Sequence, residues 1–293
     1  MKTGNFLLIL FIQIAIGCGT PKNLTSYREN AQNAEAAGNY AEAVVAWKNY
    51  FSQSSPEQGL EGDVYALAAK TAYKASETEL AVSWFDQARY RNYADAEMYS
   101  ILAEIFREQN NLSKELSALE FLVDNYDAKN PEVSSRLFSI YYETDMGMKA
   151  LDVWEKMPTE TKSTEENLEK WFLLNKKLNN EEVCDSVSLV LLRQNPGNIE
   201  ALDWNAKKIY NQAEEHYQRE MAKYEKNKTR RQYRLLLGEL DKVTADFKKA
   251  LEYFEKLWEL DSGSRREYAS YMANIYVRFN EEQKAVYYRR FAE

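Results

Sequence analysis

An all-α protein built from stacked helix pairs is what this sequence predicts, on three observations. The 293 residues include only 10 Gly and 5 Pro, where average usage would give roughly 20 and 15. Too few turn formers remain for a many-stranded sandwich, a propeller or a doubly wound sheet with Gly-rich phosphate loops. A small residue set in an apolar run recurs along the chain at near-constant spacing. Around it, apolar residues fall at i, i+3, i+4 and i+7, the helical period. The same composition excludes collagen, disulfide-scaffold and low-complexity classes.

The amino-terminal segment comes first and stands apart from that pattern. Lys2 precedes a run from Phe6 to Ile16 that is apolar except for Gln13. As a helix it would span about 16 Å, well short of a hydrocarbon core of roughly 30 Å. Residues 1–17 are therefore expected to be a secretory signal rather than a membrane span. Ala15-Ile16-Gly17-Cys18 closes the run and resembles a lipobox, with Ala15 in place of the usual Leu. The resemblance implies a bacterial lipoprotein cleaved before Cys18 and acylated on it. More than one acyl chain anchors a protein stably, whereas a single chain does so only marginally. No acidic run follows in Thr20 to Asn30, which favours the periplasmic face of the outer membrane. Residues 18–26 are read as the anchor linker.

The repeating body begins after that linker. Gly38-Asn39-Tyr40-Ala41-Glu42-Ala43-Val44-Val45-Ala46-Trp47 reads as a tight turn followed by an amphipathic helix. The place of Ala43 is taken in register by Ala81, Glu115, Ala150, Cys184, Ala250 and Ala285. Twelve residues before each marker, Ala31, Ala69, Ala103 and Ala273 are small, while Phe138 and Phe172 are not. Pro56, Pro131 and Pro196 fall at boundaries where a helix must stop. This pattern resembles the tetratricopeptide repeat (TPR), a helix-turn-helix unit of 34 residues. The resemblance implies a right-handed helical solenoid with a concave inner face. Five such pairs are expected over 27–196, then an elongated pair and a terminal pair over 197–293. Trp47, Trp84 and Trp154 are expected to pack between units, and Cys184 to be a buried small hydrophobe.

The spacing breaks between Cys184 and Ala250, which leaves room for either a cryptic extra repeat or one elongated pair. Ile199 to Lys226 holds no Gly or Pro and keeps helical spacing through Trp204, Ile209, Ala213, Tyr217, Met221 and Tyr224. The elongated hairpin is favoured, each helix about 16 residues longer than usual and projecting about 24 Å. Its tip is placed near Asn227-Lys228-Thr229, and Gly238 is the residue most at odds with it.

Charge divides the chain in the same place. Residues 51–200 carry 15 basic and 27 acidic side chains, while 201–293 carry 19 and 16. Lys223, Lys226, Lys228, Arg230, Arg231 and Arg234 crowd the expected tip. Such a cluster attracts anions, but an exported protein is not expected to meet nucleic acid.

Nothing in the sequence points to catalysis, a cofactor or a metal. There is no G-x-S-x-G elbow and no Cys pair at metal-ligand spacing. His216, the single His, lies four residues before Glu220, whereas a di-iron bundle needs two His. The TPR resemblance places Lys70, Tyr73, Lys74, Arg107 and Tyr142 on the groove as candidate contacts. It carries over no Lys/Asn clamp of the kind that binds chaperone C-termini. The expected function is a membrane-anchored scaffold or adaptor for envelope proteins, or a subunit of an outer-membrane assembly, secretion or gliding machine. A glycan-binding lipoprotein or a helical-toroid polysaccharide enzyme is the expectation from another class. Either would need exposed aromatics or clustered acid and base groups in the groove.

Overall fold

The computed structural model describes residues 24–54, 60–126 and 130–292. The signal-like segment, Cys18 and Pro56 lie outside the described residues. All regular structure among those residues is helical, in fifteen helices. The chain divides into two compact units, Met1–Asp127 and Ala128–Glu293.

The first unit holds three antiparallel pairs: α1 (Leu24–Ala36) with α2 (Tyr40–Gln53), α3 (Gly62–Lys74) with α4 (Thr78–Tyr90), and α5 (Ala96–Glu108) with α6 (Leu112–Asn125). The second unit opens with α7 (Pro131–Glu143) and α8 (Gly147–Lys156), then a single turn, α9 (Thr159–Lys162). It continues with α10 (Glu165–Lys177) and α11 (Glu181–Gln194), the long α12 (Ile199–Lys226) and α13 (Arg230–Leu260), and the last pair, α14 (Arg265–Arg278) and α15 (Glu282–Ala292). From Gly62 to Ile199 the first helices of successive pairs start 34 or 35 residues apart.

The small residues do what the repeat needs of them. Ala43, Ala81, Ala150, Cys184, Ala250 and Ala285 are all fully buried, and Ala31, Ala69, Ala103 and Ala273 almost so. Phe138 and Phe172 are buried just as completely at the same position. The exception at the marker, Glu115, is also buried, and its carboxylate accepts from Arg107 Nε at 2.9 Å. Arg107 supplies the counter-charge that a buried carboxylate requires.

Six of the hairpin turns share one backbone device. Gly38, Ser76, Asn110, Asp145, Asn179 and Asn280 all have positive φ, and each sits five residues before its marker. The residue itself donates to the carbonyl three back, and the next residue to the carbonyl five back. In the first turn these bonds are Gly38 N–H to Glu35 O at 2.9 Å and Asn39 N–H to Ala34 O at 2.8 Å. This is the Schellman closure, which satisfies the orphan carbonyls at a helix end. Five of the six positions hold Ser, Asn or Asp rather than Gly, which is why the chain folds with so few glycines.

Aromatic rings fill the joints between successive pairs. Phe51 of α2 stacks on Tyr65 of α3 at 4.3 Å and meets Trp84 of α4 at 5.2 Å. Trp154 of α8 lies flat on Trp171 of α10 at 4.4 Å. Such rings add about 0.5–1.5 kcal/mol per pair beyond their burial. The free thiol of Cys184 is buried, its Sγ 3.8 Å from Phe172 O, and burial pushes its pKa up.

The 66-residue interval resolves into one hairpin. α12 has 28 residues and α13 has 31, against 13 or 14 in most others. The turn lies at Asn227–Thr229, as the sequence placed it, and the Thr229 hydroxyl caps α13 by accepting from Gln232 N–H at 3.2 Å. α13 runs unbroken through Gly238. The base of the arm is braced by α14 as far as Glu214 and Tyr217, both engaged by Arg278. Nine residues of α12 extend past Tyr217, roughly 13 Å of helix, so the free length is shorter than the expected projection.

Candidate functional site

Within each unit, the polar face of the first helices is held in order by bonds from one pair to the next. In the first unit, Lys74 of α3 reaches Glu35 of α1 at 3.0 Å, and the Thr71 hydroxyl donates to the same carboxylate at 3.1 Å. Lys70 of α3 reaches forward to Asp95 at 2.9 Å and Glu97 at 2.7 Å. Burial opposes the charge on Lys70, yet those two carboxylates raise its pKa. Burial and a hydrogen bond to Glu104 of α5 push the Tyr73 phenol up to about 12.

Asp95 is the hinge of that set. Its Oδ1 accepts from Met98 N–H at 2.7 Å, capping α5, while Oδ2 accepts from Lys70 and from the Tyr93 hydroxyl at 2.8 Å. Burial works against its ionisation, but the Met98 N–H, Lys70 and Tyr93 together hold the carboxyl below its usual value.

The second unit repeats the device with other residues. Ser135 and Ser139 of α7 meet Asn167 and Lys170 of α10 at 3.0 and 2.7 Å. Lys177 of α10 reaches Asp145 at 2.8 Å and lies over the Tyr142 ring at 4.9 Å. Glu169 and Lys176 of α10 bond to Asn198 and Glu200 at 2.7 and 3.1 Å. Lys207 of α12 bridges Asp203 at 2.8 Å and Glu267 of α14 at 2.6 Å. Exposed ion pairs of this kind contribute little stability singly. Their effect here is to fix long side chains in place on a solvent-facing surface.

The candidate contacts thus fall into three settings. Lys70, Tyr73 and Lys74 belong to the α1–α3–α5 ladder of the first unit. Arg107 points instead to Glu115 on the second helix of its own pair, and serves the hairpin. Tyr142 lies in the second unit, beneath Lys177. The repeat register itself puts Glu104 on the groove, but the sequence did not single out Asp95, Ser139 or Lys170. A search for complementary polar residues on first helices about one repeat apart would have found Ser139 and Lys170, though not Asp95, which caps α5 from outside the helix.

The basic cluster is assembled at the arm tip. Lys223 pairs with Glu220 at 2.6 Å and Lys228 with Glu225 at 2.6 Å. Lys226, Arg230, Arg231 and Arg234 are exposed and make no ion pair among the described residues. His216 Nε2 lies 3.1 Å from Glu239 across the hairpin, rather than bonding along α12 to Glu220. No group of three His, Cys, Asp or Glu suited to a metal occurs among the described residues, and no described helix is long and apolar enough to cross a membrane.

No family model matches the chain, and no curated protein matches it. Solved structures do. The chain is similar to the C-terminal part of a TPR repeat-containing protein from Cytophaga hutchinsonii, at 16% identity, 90% coverage of this chain and 93% of that one, with a TM-score of 0.47. It is similar to a tetratricopeptide repeat protein from Parabacteroides merdae, at 12% identity, 92% coverage of each chain and a TM-score of 0.44. It is also similar to YrrB, a TPR protein with an unusual peptide-binding site, at 12% identity, 64% coverage of this chain, 100% of that one and a TM-score of 0.45.

Proposed function

We propose that this protein is a membrane-anchored scaffold or adaptor lipoprotein of the periplasmic face of the outer membrane. It would hold protein partners of an envelope complex on the polar face of its first helices. The observation that carries the reading is the ladder from α1 through α3 to α5 and its counterpart from α7 through α10 to α12. A surface whose Lys, Glu and Tyr side chains are already fixed loses little conformational entropy when a partner binds. The fixed donors and acceptors also favour one register of partner over another. Trp47 and Trp84 are buried and Trp154 is stacked on Trp171, so these rings offer no stacking platform for a sugar. That disfavours the glycan-binding reading.

The anchor rests on Cys18 and the lipobox-like residues before it. Cys18→Ser should move the protein from the membrane fraction to the soluble one, and it should abolish incorporation of labelled fatty acid. Labelling retained in the variant would remove the anchor from the account. The scaffold reading is tested separately, by cross-linking in intact cells.

A further inference from the structure

We propose that the tip of the α12–α13 arm docks on an anionic lipid bilayer, with phospholipid headgroups as the ligand. Between Gln218 and Leu240 there are seven basic and three acidic residues. All three acids are already engaged. Glu220 takes Arg219 and Lys223, Glu225 takes Lys228, and Glu239 takes His216 and Lys242. Lys226, Arg230, Arg231 and Arg234 are left without a counter-charge among the described residues. At the base of α12, by contrast, Lys207 has Asp203 and Glu267, and Lys208 has Asp185.

Apolar side chains share the surface of those cations. Tyr233 is 48% exposed, Leu235 56% and Leu237 44%, while Leu236 between the two leucines is buried against α12. At 100° per residue, Arg230, Arg234 and Arg231 spread over the arc opposite Leu236, with Leu237 and Leu235 at its edges. Arginine and tyrosine side chains carry apolar bodies with polar heads, and exposed leucine beside them is what an interfacial helix presents.

The shape of the patch decides between a bilayer and an acidic protein. The four free cations lie on the outside of a helical turn, on a convex end. A rigid protein would need a matching acidic concavity to meet them together. Headgroups are mobile and can gather around a convex tip. The cleft between the two helices near the tip is a poorer anion site, since Glu220 and Glu239 line it beside Arg219 and Lys223. The proposal does not depend on acylation of Cys18, and it adds a second contact to the membrane if that anchor exists.

Hydrogen exchange of the full chain tests this, because it reads the tip separately from residues 1–17. The protein is mixed with vesicles of phosphatidylcholine alone or with about a third phosphatidylglycerol, at low and at high salt. Peptides spanning 222–238 should exchange more slowly only on the anionic vesicles, and salt should remove the protection. Each cation near such a surface is worth a factor of roughly five. Arg230→Ser, Arg231→Ser and Arg234→Ser together should therefore weaken tip binding about 100-fold, with exchange in α1–α11 unchanged. Equal exchange on both vesicle types, or protection that survives the triple substitution, would overturn the proposal. So would protection by an acidic envelope protein with none from lipid. A membrane-released Cys18→Ser protein that still shows tip protection separates this contact from the anchor.

Discussion

Two glycines show how differently one residue type serves this chain. Gly62 opens α3 where a Cβ would lie 2.5 Å from Tyr93 Cβ and 3.0 Å from the Ala88 carbonyl, both less than contact distance. Gly238 sits inside α13 with nothing within 4 Å of the same added atom. Gly62→Ala should lower stability by about 1–3 kcal/mol, the usual range for overpacking. Gly238→Ala should raise it by about 0.5–1 kcal/mol through helix propensity alone. Denaturant midpoints of the two variants, shifted in opposite directions, check both. The marker residues were legible because burial between close helices tolerates only small side chains. Their exception, Glu115, was visible as a departure, but its cause was not. Nothing local ties it to Arg107, eight residues earlier on the facing helix. The left-handed turn residues were hidden for another reason. Only Gly38 carries the glycine signal, and Ser76, Asn110, Asp145, Asn179 and Asn280 take the same conformation without it.

The helices themselves were largely readable, and the failures are instructive. The long arm followed from apolar spacing continued without Gly or Pro, and Gly238 did not interrupt it. The length that stands clear was less visible, because the brace by Arg278 comes from a helix 64 residues away. The short α8 and the turn α9 went unread, although Pro158 stands at the break as the residue before α9. There the buried Asn167 donates to Thr161 O at 2.9 Å and accepts from Ser135, tying the extra turn to α7. Contacts between first helices depend on tertiary register and so leave only a faint trace in sequence.

Asp95 gives this element-level ladder a pH dependence. A carboxyl whose folded pKa is depressed adds stability above its unfolded value, near 3.9, and loses it as pH falls through the folded one. The Met1–Asp127 unit should therefore lose stability on acidification below about pH 4. Asp95→Asn keeps a capping side chain but removes the titration. Its unfolding midpoint should fall less steeply with acid than that of the wild type. Parallel curves would show that Asp95 contributes nothing to the linkage.

At the scale of the molecule, the chain offers two unlike kinds of surface. One kind is the laddered face that first helices form within each unit, rich in paired charge and fixed in geometry. The other is the arm tip, with unpaired cations among exposed leucine and tyrosine. The sequence made both visible in outline, the first through the TPR resemblance and the second through its run of basic residues. It did not show that Lys70, Lys74, Lys176 and Lys207 meet carboxylates on neighbouring helices while four tip cations meet none among the described residues. That distinction needs coordinates, because partners lie one repeat away or across a hairpin. On the two proposals, protein partners take the laddered faces and lipid takes the tip.

The most direct test of the scaffold reading places a photo-cross-linking residue on each kind of surface in intact cells. Ser100 and Glu143 are exposed positions on first helices, while Val45 and Leu189 are exposed on second helices. The account predicts that probes at Ser100 and Glu143 capture reproducible protein adducts in near-stoichiometric yield, and that probes at Val45 and Leu189 do not. Equal capture from all four positions, or adducts with glycan and no protein, would contradict it.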